Sequence, residues 1–554
     1  MTATQNRASQ MSSKHFDAIV IGSGASGSFA ARELTAQGLE VLLVEAGREV
    51  KPEEFDPARR PKNPRQINIF ERALATLTGQ AVQARAVFFK GMLSNLYVND
   101  RDNPYFTPKD APFVWIRGRQ AGGRTHTFGR VLLRWTDHDF KSKSLTGRGV
   151  DWPISYTDIE PYYDEVESAL GLYGNNDGVS TLPDGKYIGS AKLSPSEKQF
   201  KEAVESRWPE RHVIAFRSIA PEPSRIFRPL REAMASGRLT IRYHSVVRRI
   251  LTEGKRATGV EIVDTASGEI ATASAAHVVV CGSPIESVRL LLNSKSPAHP
   301  DGLGNSSGQL GRYFMDQLPM LAMGRMPQPA EAWTGDDSQP PDPFYGPGGG
   351  IFIPRSEKFT GGDFGIQGVF GRETAAPGEP LGVMAMGFGQ MQPDADNRIT
   401  LHPSKTDRWG IPAPYIRCKI GSDDEKTLER EEEAFIEMVK EVGGEVEFMG
   451  SPRGMREWGR GVYPKTGTLS RFLFRRLFKR VMVMGAAIHE SGGARMGEDP
   501  QHSVLNQWGQ CWDAPNVYVT DASAFAGSGV SGTTLTIMAL TVRACRHLAG
   551  GARG

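Results

Sequence analysis

The chain predicts an α/β fold of the Rossmann type, and three observations carry that expectation. The first is an apolar run, Ala18-Ile19-Val20-Ile21, that reads as a strand buried on both faces. The second is the segment directly after it: Gly22-Ser23-Gly24-Ala25-Ser26-Gly27, a helix-like stretch to Ala36, then a second apolar strand, Val41-Leu42-Leu43-Val44. The third is a return of the pattern later, with a buried strand at 277–281, a helix at 285–293, a strand at 516–520 and an apolar helix at 533–548.

Strand, glycine-rich turn, helix and strand in that order turn a bare G-x-G-x-x-G into a specific signal. Gly22 makes the tight turn, Gly24 lets backbone approach a pyrophosphate, and Gly27 lets the helix pack closely on the strand. The helix N-terminus offers free N–H groups and partial positive charge to the phosphates. Glu45 stands where an acidic residue hydrogen-bonds a ribose hydroxyl, which argues against a 2′-phosphate. The stretch therefore binds an adenine dinucleotide, and by itself leaves FAD and NAD both open.

Composition sets outer bounds. At 554 residues the chain exceeds one compact core, so two or more domains are expected. A net charge of +3 gives no reason to invoke nucleic acid. Cys281, Cys418, Cys511 and Cys545 lie far apart, without the spacing of a zinc site, a redox pair or an iron–sulfur run, so no metal is expected. Residues 1–15 are polar and lack the apolar core of a signal peptide. No stretch approaches the ~20 apolar residues of a membrane span. A soluble, cytoplasmic protein is the expectation.

In chain order, residues 51–66 are polar and proline-dotted, 70–84 read as helix, and 87–116 carry aromatics between turn residues. Gly122 and Gly123 mark either backbone close to a ligand or a simple turn. Thr157-Asp158-Ile159-Glu160 reads as a capping box opening a helix to about Leu170. Residues 239–250 and 259–264 read as strands. The Pro-, Gly- and Asp-rich stretch 325–350 suits a lid or a linker. Antiparallel strands are expected over 351–420, and an amphipathic helix over 423–442. The basic run 471–480, with Phe and Leu interleaved, reads as a partly buried helix with a solvated face, the alternative being a membrane surface. Asp521-Ala522-Ser523 ends the 516–520 strand, and the helix from Thr533 presents another N-terminus, suited to a phosphate or to the carbonyl side of an isoalloxazine.

Taken together, these segments resemble the glucose–methanol–choline (GMC) family of FAD-dependent oxidoreductases along nearly the whole chain. The likeness rests on Gly22–Gly27 with Glu45, Arg117-Gly118 with Gly122-Gly123, residues 277–292, Asn397-Arg398-Ile399-Thr400-Leu401, His489 to Gly497, Asp521-Ala522-Ser523 and Leu535-Thr536-Ile537-Met538-Ala539. Residues 122–135, Asp151-Trp152-Pro153, Gly304-Asn305-Ser306-Ser307-Gly308 and 503–512 resemble a bacterial branch that includes glucoside 3-dehydrogenase flavoproteins.

The resemblance implies a Rossmann-type FAD-binding domain of residues 14–50, 212–315 and 484–550. It also implies a discontinuous α+β substrate domain on an antiparallel sheet, with cofactor-covering segments, over 51–211 and 316–483. FAD would set its pyrophosphate on Gly22, Ser23, Gly24, Ala25 and Gly27, its ribose on Glu45 and its adenine near Val247. Gly122, Gly123 and Thr127 would approach the flavin half, and Asp521, Ala522, Thr533 and Thr534 would line the rest. His489 matches the family's active-site histidine over flavin N5. An alcohol yields hydride only as its O–H proton leaves, and neutral imidazole accepts that proton near neutral pH.

One departure stands out. The family's second His or Asn falls, eleven residues after Asp521, on Gly532, which has no side chain to hold a substrate hydroxyl. Thr533 is the first candidate to replace it and Ser531 the second, although Thr533 also suits a helix cap. His126 lies near the position where some sugar oxidases of the family attach FAD covalently. The expected activity is oxidation of a sugar, glycoside or polyol alcohol. The alternatives are a non-redox flavoprotein lyase and a flavoprotein subunit of an electron-transfer complex. Relatives of this kind imply a small exported subunit or an electron-accepting cytochrome as possible partners, and hence a periplasmic alternative.

Overall fold

A computed structural model describes residues 14–55, 69–86, 89–335, 348–358, 362–458, 472, 475–476 and 478–551. Its first sheet runs in the order Leu239–Arg242, Val41–Val44, His15–Ile21, Ile270–Val280, Arg256–Asp264, Ser245–Glu253, with Val517–Val519 also paired to Ile270–Val280. The pairs around the two apolar strands are parallel and in register, Ala18 to Val41 through Ile21 to Val44. Ile270–Val280 uses one half against Arg256–Asp264, antiparallel, and the other half against Val517–Val519, parallel.

The continuous apolar runs have a direct cause. Alternate residues of a strand face opposite sides, and both sides of this sheet are covered. Ala18, Val20, Leu43 and Val279 pack under the helices Ala25–Ala36 and Thr534–Gly551, with Leu34 and Leu548. Ile19, Ile21, Val44 and Val280 face the other way, toward Ile285 and Val288 of the helix Pro284–Asn293. All four cysteines are free thiols and buried.

The second sheet is antiparallel throughout. Its order is Gly454–Glu457, Glu445–Ser451, Leu318–Met326, Leu381–Gly389, Phe364–Phe370, Ile351–Ile353, Ile214–Ala215. One face packs on the helices Pro195–Arg207 and Ser422–Glu441, through Phe200, Val204, Phe435 and Met438 against Met320, Ile366 and Ala385. The opposite face carries Met386 and Phe388. This is the α/β class with an antiparallel second layer that the sequence predicts.

Several local expectations shift. The single strand over 239–250 is two, broken where His244 takes φ +53° and donates its N–H to the Gly47 carbonyl at 2.8 Å. The helix over 70–84 stops at Leu77, because Gly79 turns the chain at φ +107° before a short 3-10 turn, Gln83–Arg85. The capping box belongs to Ser155 and Asp158 rather than Thr157 and Glu160, so the helix is Tyr156–Leu170. Residues 336–347 of the proline-rich stretch lie outside the described residues, as do 471, 473, 474 and 477 of the basic run. Phe478 of that run is buried against Phe448, while Phe472, Arg475 and Arg476 are exposed. No described helix is long and apolar enough to cross a membrane.

Behind the antiparallel sheet, Glu431 lies fully buried with no hydrogen-bond partner for either oxygen among the described residues. A Cβ on Gly387 would come within 1.8 Å of its Oε1, so the carboxyl fills the space that glycine leaves. Burial first, then the neighbouring Glu432, pushes its pKa well above the carboxylate range. The folded group stays protonated while the unfolded one ionises, so the contribution to stability present below the unfolded pKa is lost as pH rises toward the folded one. Glu431→Gln removes that titration. Its thermal stability should match the parent near pH 4 and exceed it by at least about 1 kcal/mol at pH 8. A constant difference across that range would mean the carboxyl is ionised in place.

Candidate active site

The first strand delivers the glycine turn to a cleft of about 370 Å³. The three glycines of the motif do different work. Gly22 takes φ +95°, and a Cβ there would lie 2.6 Å from the Cys281 carbonyl oxygen. A Cβ on Gly27 would lie 1.9 Å from the Gly22 carbonyl oxygen, so the helix sits directly on the turn. Gly24 differs: at φ −66° its Cβ would meet nothing within 4 Å, and the residue lines the cleft. Of the three, only Gly24 leaves space that a ligand can use.

The second glycine pair closes over the first. Gly122 has φ +81° and opens the 3-10 turn Gly123–His126. A Cβ on Gly123 would stand 3.5 Å from the Gly24 Cα. The Gly122 N–H donates to Ser23 Oγ at 2.9 Å, and Ser23 donates in turn to Glu45 Oε2 from its hydroxyl at 2.5 Å and its N–H at 3.1 Å. Gly47 donates to the other Glu45 oxygen at 2.7 Å. Burial raises the Glu45 carboxyl pKa against these bonds. Asp521 is a second buried carboxyl, accepting from Ser287 Oγ at 2.5 Å and from the Ser523 N–H at 2.9 Å.

Gly22, Ser23, Gly24, Ala25, Glu45, Gly123, Thr127, Val247, His489, Asp521, Ala522, Thr533 and Thr534 all line this one cleft. Gly27 and Gly122 are outside its lining, each holding a turn that shapes it. His126 also lies outside, with Nε2 at 2.8 Å from the Ala121 carbonyl and its ring stacked on Phe55, so it is not aimed at a cofactor.

His489 enters the cleft from a strained loop. Asp316, fully buried, accepts N–H bonds from Gly485 at 2.9 Å, Ala487 at 3.2 Å and His489 at 2.9 Å. Ile488, within that wrap, takes φ +60°, an outlier for a β-branched residue. Burial, with Glu490 adding to it, pushes the Asp316 carboxyl up to about 7. The imidazole packs on Phe388, with centroids 4.9 Å apart, and Nδ1 lies 2.6 Å from Gln317 Oε1. Burial first, then the Arg124 charge, pushes its pKa down to about 3, so the ring is neutral at physiological pH.

The structure also defines the surroundings of Gly532. A Cβ there would stand 3.8 Å from His489 Nε2, so this position faces the imidazole and offers it no side chain. Thr533 carries the first carbonyl of the C-terminal helix, accepting from Ile537 at 3.0 Å, while its hydroxyl makes no hydrogen bond among the described residues. Ser531 is buried outside the cleft lining. Arg124 and Glu490 line the cleft beside His489 as an ion pair at 2.9 Å. Asp316, Gln317, Arg124 and Glu490 escape a reading by motif, because their partners are far along the chain. The available signal was a polar pair, Asp316-Gln317, set immediately before an apolar strand.

Comparison with known proteins agrees along the chain. Two family models, both described as GMC oxidoreductase, match residues 16–318 and 393–541. A 2-methyl-1,2-propanediol dehydrogenase of Mycolicibacterium austroafricanum is 26% identical, over 95% of this chain and 94% of its own. The fructose dehydrogenase large subunit of Gluconobacter japonicus is 24% identical, over 95% of this chain and 96% of its own. Among solved structures, a formate oxidase of Aspergillus oryzae, whose structure concerns FAD modification, shares the fold. It covers 98% of this chain and 99% of its own, with a TM-score of 0.63 at 15% identity.

The glycine geometry separates folding from cofactor retention. Gly24→Val adds its side chain to open space, so the flavin-free variant should melt within a few degrees of the parent yet retain less than about a tenth of the FAD. Gly27→Val, by contrast, should fail to fold stably. Stoichiometric flavin absorbance in purified Gly24→Val would put the pyrophosphate elsewhere.

Proposed function

The chain belongs to the GMC oxidoreductase family, and from that premise we propose that it oxidises a hydroxyl of a sugar, glycoside or related polyol to a carbonyl. His489 is the base that takes the hydroxyl proton. The observation that carries this reading is the imidazole that lines the cleft with Nε2 facing the unfilled side of Gly532, where burial favours its neutral form.

FAD, the family's cofactor, fits what the chain offers: an open cradle at Gly24, a helix N-terminus behind it, and one continuous cleft that reaches His489. Gly22–Gly27 would hold its pyrophosphate, with Glu45 and Val247 toward the adenosine and Gly123, Thr127, Ala522 and Thr534 toward the flavin. Bound there, FAD supplies the acceptor for the hydride that leaves the alcohol carbon.

The remaining chemistry belongs to the chain. His489 accepts the hydroxyl proton at Nε2 as the hydride departs, which leaves the carbonyl product. Thr533 supplies the second contact to the substrate oxygen, since its hydroxyl is free and adjacent to Gly532. Among the described residues, Gln367 is the one hydrogen-bonding side chain that the antiparallel sheet adds to the cleft lining, beside Met386 and Phe388. Its amide makes no hydrogen bond among the described residues, which suits a further hydroxyl of a polyol. Relatives named for a diol and for fructose support that substrate class. The fructose dehydrogenase relative is named as a large subunit, and a partner that takes electrons from this chain, or exports it, belongs to the same proposal. The vacancy at Gly532 favours one second reading, a non-redox lyase in which His489 is only an acid or base.

Anaerobic bleaching of the flavin band by a panel of sugars, glycosides and diols separates the two, since a lyase substrate leaves the band intact. With the best substrate, His489→Ala should keep its FAD and reduce it at least about 10²-fold more slowly. The base works only when neutral, and its depressed pKa of about 3 keeps it so through the mildly acidic range. Protonation of the base should therefore put no limb on reduction by the parent protein between about pH 5 and pH 8, and a fall near the ordinary histidine pKa of about 6.5 that persists in Asp316→Asn would assign the base to another group. Thr533→Val should retain FAD and melting temperature but slow reduction at least about tenfold. An unchanged rate would remove Thr533 from the site.

A further inference from the structure

We propose that Gln317 is a positioning residue that holds His489 in its Nδ1-protonated tautomer and thereby makes Nε2 the proton-accepting atom. This rests on the reading of His489 as the base. Gln317 does not line the cleft and touches neither substrate nor cofactor space.

The orientation of the amide decides the tautomer. Gln317 Nε2 lies 2.8 Å from the Gly529 carbonyl and 2.8 Å from the Ser531 carbonyl. Carbonyl oxygens only accept, so the group between them must be the NH₂ end, and both of its protons are used. The side chain is fully buried. Turning it over would set its oxygen against two carbonyls in a fully buried site and take a donor away from each of them. Oε1 is therefore committed to the imidazole, 2.6 Å from Nδ1. Because Oε1 only accepts, Nδ1 must carry the proton, and a neutral ring then has its lone pair on Nε2.

Two neighbouring contacts make this orientation rigid. Asp316, the preceding residue, holds the His489 backbone N–H at 2.9 Å, so one dipeptide fixes both the main chain and the ring of the base. The carbonyls that Gln317 grips also lead directly into Gly532. Trp135 Nε1 donates to the Ser531 carbonyl at 3.2 Å, and Gln390 to the Ser528 carbonyl at 3.0 Å. The amide thus spans the base and the loop across from it, and sets their separation.

The choice of an amide has its own consequence. A carboxylate in the same place would still accept from Nδ1 through one oxygen, but it would set the other against the Gly529 and Ser531 carbonyls and, once ionised, would stabilise the imidazolium. The charged groups near the ring are Arg124, its partner Glu490, and Asp316 behind the main chain. A neutral acceptor at 317 adds orientation without adding charge to that set.

The test combines nitrogen NMR on ¹⁵N-histidine-labelled FAD-loaded protein with anaerobic flavin reduction. The His489 signals are identified by their loss in His489→Ala. The parent should show a protonated Nδ1 and an unprotonated Nε2 from about pH 5 to pH 8. Gln317→Leu should show mixed or inverted tautomers and reduce at least about tenfold more slowly, with the substrate dissociation constant changed less than the rate. Gln317→Glu, nearly isosteric, replaces the two N–H donors to Gly529 and Ser531 with one O–H when neutral, and it should keep Nδ1 protonated; where it ionises, it should also raise the pH at which Nε2 takes a proton. If Gln317→Leu fails to fold, Gln317→Glu decides the matter alone. An unprotonated Nδ1 in Gln317→Glu would overturn the proposal, as would parent-like tautomer and rate in Gln317→Leu. Rapid flavin reduction in His489→Ala would instead overturn the base assignment, a different result from any tautomer change.

Discussion

One buried carboxyl group organises the reactive part of the molecule. Asp316 gathers three N–H groups from a single five-residue loop, and a loop that must aim Gly485, Ala487 and His489 at one point cannot remain extended. The left-handed turn at Ile488 is the cost of that convergence. In a buried site, three converging N–H bonds, none of which could be left unmade without cost, outweigh strain at one residue. What emerges is a histidine whose main chain is anchored before its ring makes any contact. Gln317 and Phe388 then have a defined object to pack on.

Around that point the two sheets divide the labour by their chemistry. The parallel strands are covered on both faces and end in turns whose N–H groups and helix termini suit phosphate. The antiparallel sheet has one face buried under helices and turns the other to the cleft, where alternation along its strands presents Gln367, Met386 and Phe388. Specificity for the reacting molecule can vary on that face without disturbing the nucleotide end. The link Glu45–Ser23–Gly122 keeps the two glycine segments together through a single hydroxyl.

Much of this is legible in the sequence, and the reasons are physical. Strands such as Val41–Val44 are apolar at every position because both faces are covered, and the glycine turn is fixed by local sterics, so both announce themselves within a few residues. The side-chain vacancy at Gly532 is legible too, because an absent side chain needs no structure to be noticed. Boundaries set by distant contacts are not. The break at His244 comes from a bond to Gly47, almost two hundred residues earlier in the chain. Gln317 meets His489 across 172 positions, and no periodicity records such a meeting. The helix cap at Ser155 is masked by Thr157, because two overlapping patterns offer a hydroxyl and an acid three residues apart, and only backbone geometry chooses between them.

The packing of the helix Ala25–Ala36 against Thr534–Gly551 also bears on how the protein is made. The strand Val517–Val519 joins the parallel strands from the same end of the chain. At ribosomal rates of about 5–20 residues per second, roughly half a minute or more separates the emergence of the first helix from that of its partner. During that interval the flank that faces Thr534–Gly551 has no native cover, although Leu230 and Ala233 of the helix Arg228–Ala235 already pack with Ala30 and Leu34. That flank therefore stays uncovered until Thr534–Gly551 has left the ribosome.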